Sequence, residues 1–268
     1  MSFAISSDGA RIFYTSVGQG EPLVLAHGTT HTWESWGDLG YIDGLKDRFQ
    51  LILLDSRGHG QSDKPHAADA YAMTQQSDDV LAVVDQLGID RFHFFGYSIG
   101  AVCGFHLAVR APDRVQSLIA YGGDPYAPTS GYKQSIEQDL DVLRRGVRDW
   151  VDLMEEIGVF KQYPVPNERK ERLLASDGEA LVASILASTE DTGVSADLER
   201  LTMPCLLIAG QQAGGNDLAR QAAHDLPVAD FVSIDGIGHA MVHARVILPY
   251  VNAFYERFAV VTGVTRPG

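Results

Sequence analysis

What most constrains this chain is a recurrence of short, uninterrupted apolar runs at Leu23–Ala26, Leu51–Leu54, Phe92–Phe95, Val115–Ala120, Cys205–Ala209 and Phe231–Ile234. Runs of this length match strands covered on both faces, whereas a strand with one wet face alternates. Helical periodicity fills several of the gaps. Val80, Leu81, Val83, Val84 and Leu87 repeat near 3.6 residues and stop at Gly88. Strands alternating with helices predict an α/β fold, a mostly parallel sheet flanked by helices that cross over right-handedly. A hairpin precedes it, because Phe3–Ile5 and Arg11–Tyr14 flank Asp8-Gly9, a pair that tolerates the positive φ of a tight turn.

The alternation lapses once, over about 80 residues between Asp124 and Met203 that carry no convincing strand. There Ile136, Leu140, Leu143, Val147, Trp150, Val151 and Met154 recur at helical spacing, as do Leu173, Leu174, Leu181, Val182 and Ile185, with Pro164-Val165-Pro166 separating two helices. The expected organisation is a core of residues 1–124 and 204–262 with an inserted helical cap, 125–203. The tail from Thr262 to Gly268 is expected to fray.

Composition narrows the function classes. With 268 residues, 45% of them hydrophobic, the chain can bury a sizeable core. No apolar run approaches the roughly 20 residues that cross a bilayer. Residues 1–20 carry no basic-then-apolar leader, so the expectation is no membrane and a cytoplasmic address. An excess of 35 acidic over 21 basic residues, net −14, argues against a nucleic-acid partner, which needs clustered Lys and Arg. Cys103 and Cys205 sit in apolar runs and read as buried thiols. No Walker loop, dinucleotide fingerprint or metal-ligand cluster appears, so no cofactor and no metal are expected.

Chemistry concentrates at Gly96-Tyr97-Ser98-Ile99-Gly100, a G-x-S-x-G between the strand Phe92–Phe95 and a helical pattern through Val102, Phe105, Leu107 and Ala108. Flanking glycines permit a turn so sharp that Ser98 is strained and exposed at the carboxyl end of its strand, while the helix N-terminus directs N–H groups at the reacting centre.

At this point the chain resembles the α/β-hydrolase-fold superfamily, of the serine hydrolase type with a helical cap, over nearly its whole length. His27-Gly28-Thr29 resembles the family's His-Gly segment. Asp55-Ser56-Arg57-Gly58-His59-Gly60-Gln61-Ser62 resembles its D-x-R-G-x-G-x-S turn, and Ala111-Pro112-Asp113-Arg114-Val115 its lead into the sixth strand. The resemblance implies Ser98 as nucleophile and an oxyanion hole from the backbone N–H groups of Thr29 and Ile99. It also implies His239, in Asp235-Gly236-Ile237-Gly238-His239 after the last strand, as base. His27 and Arg57 read as braces of these loops.

The orienting acid departs from the family pattern. Where most relatives carry Gly-x-x-Asp after the strand Cys205–Ala209, this chain has Gly210-Gln211-Gln212-Ala213. Three outcomes stay open: Asp124 after the sixth strand, where some subfamilies place the acid; Asp217 beyond Gly214-Gly215; or no acid at all.

Trp33, Trp36, Tyr97, Tyr126 and Met241 are the candidate pocket lining, largely apolar and aromatic, which points to a small to medium carbonyl substrate. Serine at 98 sets the chain apart from the dehalogenases and epoxide hydrolases of the fold, which the resemblance says use aspartate. The expected activity is a cofactor-independent hydrolase of an ester, lactone or related carbonyl compound. The alternatives are a slow-turnover ligand receptor, or a lyase, acyltransferase or cofactor-free oxygenase on the same scaffold. Oligomeric state is not legible.

Overall fold

The computed structural model describes residues 2–261, with side chains as far as Phe258, so the expected fraying of Thr262–Gly268 lies outside the described residues. Eight strands form one sheet: β1 (Ser2–Ile5), β2 (Arg11–Val17), β3 (Glu21–Ala26), β4 (Phe49–Leu54), β5 (Phe92–Tyr97), β6 (Val115–Tyr121), β7 (Cys205–Gly210) and β8 (Ala229–Ile234). Their order is β1-β2-β4-β3-β5-β6-β7-β8. β2 runs antiparallel to β1 and β4, and every other pairing is parallel. The hairpin closes at Asp8-Gly9, where Gly9 takes a φ of 90°.

The unbroken apolar runs are explained by helices on both faces. One face is covered by α3 (Met73–Gln86), α4 (Ile99–Arg110) and α10 (Asn216–Asp225), with Val24, Phe94, Leu118 and Leu207 pointing into that core. The other is covered by α1 (Glu34–Asp38), α2 (Tyr41–Leu45) and α11 (Ala244–Val261), which meet Leu25, Phe95, Ile119 and Ile208. Successive side chains of a strand point to opposite faces, so two covered faces require apolar residues throughout. The run Phe231–Ile234 is the exception. It was expected to be covered on both faces, but it forms the edge strand β8, in which only Ile234 is buried. Both cysteines are buried and unpaired, and burial pushes each thiol up to about 12.

Between β6 and β7 lie α5 (Ser130–Leu143), α6 (Val147–Glu156), α7 (Val159–Gln162), α8 (Asn167–Leu174) and α9 (Gly178–Thr189). Gly146 breaks α5 from α6, and Pro164–Pro166 lies between α7 and α8. This helical segment has its own small core of Leu140, Leu143, Val147, Val151, Leu173, Leu181 and Ile185. Polar ties fasten it to the sheet body. His106 Nε2 on α4 meets Asp191 Oδ2 at 3.1 Å, His66 meets Asp177 at 3.0 Å, and Arg172 pairs with Asp38. Among the described residues no helix is long and apolar enough to cross a membrane.

Two buried polar clusters hold the loops at the carboxyl ends of β3 and β4. Arg57, with no exposed side-chain surface, grips Asp79 of α3 with Nε at 2.7 Å and Nη2 at 2.6 Å, and donates from Nη1 to Asp8 at 2.8 Å. Buried His27 donates from Nδ1 to Gly28 O at 2.8 Å and accepts the Ser56 N–H on Nε2 at 3.1 Å. Beside it, His59 donates from Nδ1 to Arg57 O at 3.0 Å. Asp55 accepts from Trp33 N at 2.9 Å and Gln61 N at 2.8 Å.

Removing one partner of a buried ion pair leaves the other charge uncompensated. Asp79→Ala is therefore expected to destabilise the fold by about 3–5 kcal/mol, read from urea denaturation. Burial pulls His27 down to about 4 and His59 down to about 3. Unfolded imidazoles protonate near pH 6.5 while these stay neutral, so the unfolded state binds more protons below that pH. Stability should fall as pH drops from 6.5, by roughly 3 kcal/mol for His27 by pH 4. Urea midpoints between pH 7.5 and 4.5 check this, with a shallower slope expected in His59→Gln.

Candidate active site

β5 ends at Tyr97 and α4 begins at Ile99, leaving Ser98 alone to reverse the chain. It does so at φ 55°, ψ −121°, a conformation that costs a side-chain-bearing residue about 1–3 kcal/mol. The turn survives because its neighbours lack side chains. A Cβ on Gly100 would lie 2.7 Å from the His27 carbonyl oxygen, and one on Gly96 would collide with the Gly100 carbonyl. The Ser98 N–H is held by Tyr121 O at 2.8 Å.

Strand order sets the other components around it. β3 pairs with β5 through Ala26 and Gly96, so the His27–Thr29 loop emerges beside Ser98. The contact is so close that a Cβ on Gly28 would stand 3.0 Å from Ser98 Cβ. Thr30 takes a φ of 65° to complete this loop. Among the described residues, no protein acceptor takes the backbone N–H of Thr29 or of Ile99.

His239 comes from farther away, on the loop after β8, and hydroxyls of three tyrosines hold that loop over the sheet. Tyr121, last residue of β6, donates to Ala240 O and accepts the Val242 N–H at 3.4 Å. Tyr41 donates to Val242 O at 2.9 Å. Tyr163, after α7 in the helical segment, accepts the Gly238 N–H at 2.8 Å. The result is a Ser98 Oγ to His239 Nε2 distance of 2.9 Å, with the His239 ring stacked 5.7 Å from Tyr97. His239 is an exposed residue, yet protein packed around it desolvates the imidazole and lowers its pKa below the usual 6.5.

The far side of His239 faces backbone. A Cβ on Gly122 would lie 3.3 Å from Nδ1. Among the described residues no carboxylate oxygen lies within 4 Å of either ring nitrogen. Asp124 is two residues past Gly122; it accepts the Tyr126 N–H at 3.1 Å, and burial raises its pKa. Asp217 lies exposed in the first turn of α10, whereas its neighbour Asn216 is buried and donates to Gly210 O at 3.0 Å.

The expected lining residues divide. Tyr97 is buried between His31, Tyr121 and His239. Trp33 is half-buried, its ring 6.4 Å from Phe13. Trp36 requires correction: fully buried, it packs against Tyr41 and Phe95 in the core beneath the loops, because its place on α1 turns it toward the sheet. Met241 is likewise turned into that core. Tyr126 points its hydroxyl at Asp225, at the end of α10, 2.8 Å away. Tyr163 and Arg169, which donates from Nη2 to His31 Nε2 at 2.7 Å, escaped sequence reasoning. The one available signal was position, since they flank the Pro164–Pro166 break, where chain leaves helical register.

Comparison with known proteins gives the context. Residues 21–154 match the family described as alpha/beta hydrolase fold, half of the chain. A putative 2-succinyl-6-hydroxy-2,4-cyclohexadiene-1-carboxylate synthase of Bacillus subtilis is 26% identical over 250 residues, 88% of this chain and 90% of that one. Epoxide hydrolase 3 of Siraitia grosvenorii is 29% identical over 116 residues, 43% of this chain and 36% of its own length. The crystal structure of a hydrolase from Pseudomonas aeruginosa superposes with a TM-score of 0.78 at 25% identity, over 98% of both chains. The chain belongs to the alpha/beta hydrolase fold family.

Proposed function

We propose that this hydrolase is a serine hydrolase that cleaves an ester, lactone or related small carbonyl substrate, with Ser98 as nucleophile and His239 as general base. One observation carries the reading: a serine in a strained turn, at the carboxyl edge of a parallel sheet, with its Oγ 2.9 Å from an imidazole nitrogen. Hydroxyl attack requires that nitrogen to be unprotonated, and burial lowers the His239 pKa below the usual 6.5, which favours the neutral ring. The Ser98 proton passes to Nε2 as Oγ bonds to the carbonyl carbon. The resulting oxyanion meets the N–H groups of Thr29 and Ile99, the latter at the N-terminus of α4. Collapse expels the alcohol, which takes the proton back from His239, and water releases the acyl group by the same steps.

Of the two carboxylates that sequence left open, Asp124 suits the orienting role. It is desolvated and lies two residues past Gly122, the backbone that faces His239 Nδ1. The relatives include both a synthase and an epoxide hydrolase, so family membership alone leaves the reaction type open. Serine at 98, where the resemblance gives epoxide hydrolases an aspartate, favours acyl transfer to water.

The unpartnered Nδ1 of His239 favours one second reading, a slow-turnover ligand receptor, because an imidazole without its acid loses much of its catalytic power. A rise in Tm with a lactone or ester that is never consumed would select it.

A fluorophosphonate probe should label the wild type at Ser98 and leave Ser98→Ala unlabelled, read by intact-protein mass and peptide mapping. Labelling that survives in Ser98→Ala overturns the nucleophile. For p-nitrophenyl ester hydrolysis, the acid limb of kcat/KM should have its midpoint below pH 6.5, since a depressed pKa keeps the base neutral to lower pH. Asp124→Asn should lower kcat by roughly 10²- to 10⁴-fold, and Asp217→Asn should leave it within about twofold of wild type.

A further inference from the structure

The helical segment presents a cation to the site region without a carboxylate to match it. Arg169, on α8, is half-buried and spends one of its five N–H donors on His31 Nε2. Among the described residues no carboxylate oxygen lies within 4 Å of its guanidinium. Asp38, whose charge it feels, is held by Arg172.

His31 cannot neutralise it. An imidazole that accepts on Nε2 carries its proton on Nδ1 and is a neutral ring. Burial and the nearby Arg169 charge both hold His31 in that form. The Nδ1–H is itself a buried donor with no partner, on a residue only 7% exposed. Two donors in contact, one of them cationic, are thus short of acceptors, and an unpaired desolvated charge is costly unless a ligand completes it.

The location gives the ligand its meaning. His31 follows the Thr29 loop, its ring is 5.4 Å from Tyr97, and Tyr97 stacks on His239. We propose that Arg169 recognises a carboxylate carried by the substrate, so that this site takes small carbonyl compounds bearing one anionic group apart from the carbonyl that Ser98 attacks. This deepens the serine hydrolase reading and rests on it. A single planar guanidinium fits a carboxylate by two parallel hydrogen bonds, whereas a phosphate dianion would call for a second cation, and Arg172 is already engaged. On a chain with net charge −14, long-range attraction does not gather anions, so a local cation has to select them.

Binding without turnover tests this separately from the chemistry. Monomethyl glutarate and dimethyl glutarate, alike in reach but differing in one charge, are titrated calorimetrically into the full-length Ser98→Ala protein. The mono-acid should bind at least about tenfold more tightly. The preference should vanish in Ser98→Ala/Arg169→Gln and persist in part in Ser98→Ala/Arg169→Lys, which keeps the charge and controls for folding. Equal binding of the two compounds, no binding of either, or a preference that survives Arg169→Gln overturns the proposal. Whether the wild type hydrolyses either compound bears on Ser98 alone.

Discussion

The strained turn at Ser98 can exist only because β3, β5 and α4 approach one another at backbone distance. Gly100 lies against the carbonyls of Ala26 and His27, and Gly28 lies against Tyr97 and Ser98, with no room at either for a methyl group. That packing sets two things together: it forces Ser98 out of the favourable backbone regions, and it brings the Thr29 loop to the start of α4. The strain is small, about 1–3 kcal/mol, against the large apolar cores on both sheet faces that enforce it. The backbone N–H groups of Thr29 and Ile99 lie at this junction without a protein acceptor among the described residues.

The histidine is secured differently. β8 is an edge strand only partly covered, and β7 and β6 separate it from β5, so apolar packing cannot by itself place His239 over Ser98. Hydroxyl groups of Tyr41, Tyr121 and Tyr163 bind the backbone of residues 238–242 instead. Two of these belong to the sheet body and the third to the helical segment. The segment that supplies Arg169 therefore also supports the loop that carries His239.

How much of this could be read in advance follows from what leaves a periodic mark. Strands with two covered faces must be apolar throughout, so β3 to β7 stood out as runs, and β8 was misjudged because an edge strand can be equally apolar. The turn at Ser98 was legible because glycines at both flanks have few other uses. The tyrosine supports were not. A hydroxyl that finds a backbone group 75 or 201 residues away imposes no spacing on the sequence. Trp36 shows the same limit from the other side: nearness to the His-Gly segment placed it by the site in sequence, but helix phase turned it into the core. For the acid, sequence left Asp124, Asp217 or none open, and the two carboxylates differ in setting, Asp124 desolvated after β6 and Asp217 exposed in the first turn of α10, a contrast that leaves no periodic mark.

Charge in the site follows one pattern. His27, His31, His59 and His239 all have their pKa lowered by burial, and among the described residues none of the four meets a carboxylate within hydrogen-bonding reach of its ring. Burial thus favours the neutral form of each imidazole around the nucleophile, and for His31 and His59 repulsion from neighbouring imidazoles adds to desolvation. Arg169 touches this group directly, through His31. Its charge adds to burial in lowering the His31 pKa, whereas His239 is lowered by burial alone, so the guanidinium acts on the loop beside the nucleophile rather than on the base.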